Sequence, residues 1–89
     1  MKSLNQQLAN YRTLLGEIRQ QFGEVRCNRE ISLNGKWVEV KVYKSEAPMA
    51  DIKAYIEKQH SQLVSGIRLG EFRHPKPHEG LMFRLPVNH

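Results

Sequence analysis

The densest run of reactive side chains lies between Arg73 and Gly80, which holds Arg73, His74, Lys76, His78 and Glu79. Imidazoles beside a carboxylate can move protons, and the neighbouring Arg and Lys can clamp a phosphate. A small endoribonuclease acting through His74, His78 and Arg73 would use such a set. Two features weigh against catalysis. All the groups come from one segment, whereas working sites usually gather them from several elements that hold each in place. Pro75 and Pro77 also make the segment a stiff, extended loop, so the imidazoles need not converge. The same extension spoils the i, i+4 spacing of His74 and His78 for metal binding, which aligns ligands only on a helix. No metal or other cofactor is expected. None of the phosphate-loop, dinucleotide, zinc-protease or serine-hydrolase motifs occurs.

A second group is spread over residues 26–43. Trp37 and Tyr43 share the parity of Glu39 and Lys41, while Val38, Val40 and Val42 take the other. If the valines face a core, the two aromatic rings face away from it, among cations. Sheets use that arrangement to stack unpaired bases while holding their phosphates. Arg26, Trp37, Lys41 and Tyr43 are therefore candidate binding residues, with Arg84 added from the last strand and Arg73 and Lys76 at one end. The same aromatics, with Phe72 or Met82, would serve as anchors for a protein partner. Glu30 falls opposite Glu39 on this face, which opposes a strongly anionic ligand lying across its middle. Cys27 on the core face and His60 on an apolar helical stripe read as packing residues.

These side chains must be positioned by few elements. Ser3 and Gln6 form a capping box ahead of Leu4, Leu8, Tyr11, Leu15, Ile18 and Phe22, whose alternating steps of four and three make a helical seam. Gly23 stops this first helix, expected at 4–22. Asn34-Gly35 is a strong hairpin signal because both residue types accept positive φ. A two-residue loop there sets Ile31 against Val38, Arg29 against Val40, Cys27 against Val42 and Arg26 against Tyr43. The core face would then be Val25, Cys27, Ile31, Leu33, Val38, Val40 and Val42, with Arg29 discordant. Ser45 as cap and Pro48 in the first turn open a second helix at 46–65, with Met49, Ile52, Ile56, His60 and Leu63 as its stripe. A second hairpin follows at 67–87, its final strand demoted to an edge by Pro86.

The order α-β-β-α-β-β, with hairpins at 24–44 and 67–87, implies an α+β two-layer sandwich in a single domain spanning 1–89. Its sheet would be antiparallel, with both helices on one face and the other face wet. The two halves echo each other in element order, though hardly in residue identity.

The chain has 89 residues, of which 39% are hydrophobic, and a net charge of +5. That supports one thin core. No apolar run is long enough to span a membrane, no secretory leader is evident, and a single cysteine excludes an internal disulfide. A cytoplasmic protein without membrane contact is expected. Segment 46–66 carries a net −1 and the segments around it +2 each. A modest basic surplus of this kind attracts phosphate polymers. The narrow seam of the first helix and the thin core suggest a homodimer, although Leu14 broadens the seam toward a globular face. The leading expectation is a non-enzymatic protein that binds nucleic acid, single-stranded or RNA-like, or an acidic protein surface. A protein–protein adaptor or inhibitor of mobile-element or phage type and the endoribonuclease are the alternatives.

Overall fold

The computed structural model describes residues 2–73 and 76–87. Two helices and four strands follow in the order α1 (Leu4–Phe22), β1 (Val25–Ile31), β2 (Trp37–Ser45), α2 (Met49–Gln59), β3 (Ser65–Phe72) and β4 (His78–Pro86). The strands form one antiparallel sheet ordered β1-β2-β4-β3. The second strand of each hairpin is thus central. Among the described residues, no helix is long and apolar enough to cross a membrane.

The core follows from period-two burial on the sheet. Val38, Val40 and Val42 of β2 and Leu81, Phe83 and Leu85 of β4 are buried together with Leu14 and Ile18 of α1 and Ile52 and Ile56 of α2. The valines are inside, as their alternation requires, and Trp37, Glu39, Lys41 and Tyr43 are on the opposite, partly exposed face.

Helix α1 begins and ends as its sequence predicts. The Ser3 hydroxyl accepts a bond from the Gln6 amide at 3.1 Å, and Gly23 closes the helix at φ 85°. Its buried line is Gln7, Leu14 and Ile18, with Leu4, Leu8, Tyr11, Leu15 and Phe22 packed partly buried around it. The apolar stripe is therefore broad and packs on the chain's own core. Gln7 is fully buried: its amide donates to the Pro86 carbonyl and its oxygen accepts from Asn10 at 2.8 Å.

Several expectations change. Helix α2 is shorter than 46–65, because Ser45 belongs to β2 and its hydroxyl accepts from the Ala47 amide at 3.1 Å. Pro48 takes the cap position, and the helix ends at His60, so that Ser65 and Gly66 open β3. The first hairpin keeps its expected pairing from Ile31↔Val38 to Cys27↔Val42, but its turn differs. Only Gly35 has positive φ, and the turn closes from the Gly35 amide to the Ser32 carbonyl at 2.9 Å. The tip lies beyond the core, so Leu33 is fully exposed and Ile31 is 45% exposed. Arg29, the discordant inward residue, avoids burial by lying over the Tyr11 ring at 5.6 Å. Strand β4 is central, not an edge. Pro86 is tolerated because it ends the strand, where the ladder continues only through the Val87 amide to the Lys36 carbonyl.

Candidate nucleic-acid interface

The second hairpin's strands run longer than expected, so His78, Glu79 and Gly80 are in β4 and the connecting loop shrinks accordingly. His78 pairs with Phe72 and Gly80 with Gly70. Three residues of the expected eight-residue loop are thus strand, and Arg73 and Lys76 stand exposed at that corner of the sheet. His74 lies outside the described residues.

At the other hairpin, the pairing slips. Cys27 faces Val42, but Arg26 faces Lys44, leaving Tyr43 as the extra residue of a bulge. Arg26 is thus opposite Lys44 and not Tyr43. The bulge is what lets Tyr43 and Lys44, neighbours in sequence, line the same hollow.

Because β2 lies beside β4, these two corners face one another. Between them is an open groove of about 1120 Å³, lined by Arg26, Lys41, Lys44, Arg73 and Lys76 around Tyr43 and Phe72. Asn28, Ser45, His78 and Glu79 complete its polar lining, and Ala47, Pro48 and Met49 give it an apolar wall. Five of the seven expected binding residues (Arg26, Lys41, Tyr43, Arg73 and Lys76) come together here.

The other two, Trp37 and Arg84, lie apart at the far end of the face and engage each other. The Arg84 guanidinium is 4.4 Å from the centre of the Trp37 ring, so one face of the indole is already covered. Glu39 separates this pair from the groove, 3.9 Å from Arg84 Nε and 4.0 Å from Lys41 Nζ. Glu30 does stand opposite Glu39, as expected. Arg73 has an exposed ion pair with Glu71 at 3.2 Å, a tie of little strength in water.

The groove's imidazole is held rather than free. His78 Nδ1 is 2.7 Å from the Lys76 carbonyl, which favours a proton on that nitrogen. Its Nε2 is shielded from solvent with no partner among the described residues. Among the described residues there is also no cluster of three metal-ligating side chains.

Lys44 and Asn28 were missed by the sequence reading. Lys44 has the parity of the core valines, and only the bulge turns it outward. Phe72, considered before only as a protein anchor, enters because the opposed Gly70 and Gly80 leave space over the sheet. Comparisons with protein-family models, curated proteins and solved structures find no match.

Proposed function

We propose that this chain is a small non-enzymatic protein that binds nucleic acid, single-stranded or RNA-like, in the groove at one end of its exposed sheet face. The observation that supports the reading is the gathering of five cations around two aromatic rings from both hairpins. Cations in a groove neutralise successive phosphates and release their counterions, while aromatic rings take bases without regard to sequence. Trp37 and Arg84 form a secondary contact area. Catalysis has weaker support, because the described imidazole presents no open nitrogen to a substrate.

Anisotropy titration of a labelled single-stranded oligonucleotide across a salt series tests this reading. Affinity should fall steeply with salt, by a slope of about 0.7 per neutralised phosphate. The double substitution Lys41→Gln, Lys44→Gln should lower that slope by roughly one to one and a half on the same scale. Binding that is absent at low salt, or insensitive to salt, removes the proposal.

One observation favours a second reading. The fully exposed Leu33 at the hairpin tip, beside Ile31, suits a protein partner, as an adaptor or inhibitor would require. Loss of a captured partner on Leu33→Ser, with oligonucleotide binding unchanged, would support it.

A further inference from the structure

We infer that the groove seats one unpaired nucleobase against Phe72, so that the ligand is held by ring stacking as well as by its phosphates. This deepens the nucleic-acid reading above and rests on it.

The argument starts from two glycines. Gly70 and Gly80 are paired across β3 and β4. Their neighbours Leu69 and Leu81 take the core side, so the glycines face outward, in the row that continues to Tyr43. A Cβ added to Gly80 would lie 2.7–3.0 Å from three atoms of the Phe72 ring, and one added to Gly70 would lie 2.7 Å from the Met82 methyl. Each glycine therefore makes room for a neighbour's side chain to lie down over the sheet. Phe72 lies over Gly80, where any larger residue would push it up.

The ring is fixed on a second side. Phe72 and His78 pack in a T, with centroids 5.6 Å apart and planes at 86°, and the imidazole is itself held by the Lys76 carbonyl. A ring positioned before the ligand arrives gives up little freedom on stacking. Phe72 stays half-exposed and lines the groove with Tyr43.

Cations flank this platform on two sides. Arg26, Lys41 and Lys44 come from the first hairpin, and Arg73 and Lys76 from the second. A base on Phe72 would have phosphates before and after it within the reach of opposite groups. The groove's volume exceeds the roughly 300–1,000 Å³ of pockets that hold a drug-sized ligand, which leaves room for flanking backbone. In a duplex each base face is covered by its neighbours, and exposing one costs stacking and pairing, so a single strand is the preferred form.

The test uses the full chain and a short oligoribonucleotide compared with versions carrying one abasic site at each position in turn, all with the same phosphates. One abasic position should weaken binding by roughly 5- to 100-fold, while the others change it little. Phe72→Leu should produce a similar loss with the intact strand, add little to the loss from the sensitive abasic site, and leave the salt slope unchanged. Should Phe72→Leu fail to fold by circular dichroism, the abasic series on the unaltered chain decides alone. If every abasic strand binds as the intact one does, with steep salt dependence, the stacking inference falls and the nucleic-acid reading stands. If no strand binds in a salt-dependent way, the reading itself falls.

Discussion

Among the described residues, Tyr11 is the side chain whose chemistry the fold changes most. Burial, and then the 3.0 Å contact between its hydroxyl and Cys27 Sγ, push its pKa up from 10.0 to about 12, with Arg29 and Arg19 pulling weakly the other way. The folded chain thus keeps a proton that the unfolded chain gives up above about pH 10. Stability from this group is complete below pH 10 and declines as pH rises toward 12. Tyr11→Phe should flatten that decline, measured as urea midpoints at about pH 8 and pH 11 for both proteins. An equal fall in the two would show that other groups set the alkaline limit. Gln7 carries a different lesson. Its polar side chain stands three residues after Leu4 and four before Tyr11, on the packed side of α1, and is fully buried with its amide on the Pro86 carbonyl. Gln7→Ala removes that donor from the part-buried Pro86 carbonyl, so unfolding free energy should drop by about 1–3 kcal/mol.

Among the elements, the first hairpin separates what its pattern encodes from what it does not. Alternation of Val38, Val40 and Val42 set the inward face, and the pairing of Ile31 through Cys27 followed from the position of Asn34-Gly35. The turn conformation did not follow, because several loop geometries share that register. Asn34 has negative φ and its Oδ1 accepts from the Lys36 amide at 3.1 Å, while Gly35 alone is left-handed at φ 70°. Gly35→Ala should therefore cost about 1–2 kcal/mol through backbone strain, since a methyl there meets no atom within 4 Å. Asn34→Gly should bring no gain, although it would help a turn with two left-handed residues. Chemical denaturation of both variants distinguishes the geometries. The bulge at Tyr43 was silent for a related reason: one extra residue leaves no mark on composition, yet it flips Lys44 to the outer side. The apolar spacing predicts a longer α2 because it continues through His60 and Leu63, while the backbone turns at His60. Pro86 misled because a missing donor is costly only inside a ladder, and here it falls at the ladder's end.

At the scale of the molecule, the cations were countable in the sequence but their assembly was not. Arg26 and Lys44 meet Arg73 and Lys76 only because β2 pairs with β4, and local patterning does not say which strands of two hairpins will be neighbours. The same sheet order divides the exposed face. Cations crowd the groove, Glu30 and Glu39 stand together in the middle, and Arg84 covers Trp37 beyond them. Glu39 sits within 4.0 Å of both Lys41 and Arg84, so its field opposes a phosphate approaching either. These contacts are partly exposed and weak, and their effect on a ligand is therefore of long range rather than of contact. Glu39→Gln raises the net charge from +5 by one and should tighten single-strand binding a few-fold at about 50 mM salt. At about 1 M, where the screening length shrinks to roughly 3 Å, the two proteins should bind alike. A variant that gains nothing at low salt would mean that the strand stays within the groove and never nears the centre of the sheet. That result would restrict the interface to the end of the face and leave Trp37 and Arg84 as a cross-strand pair that stabilises the sheet.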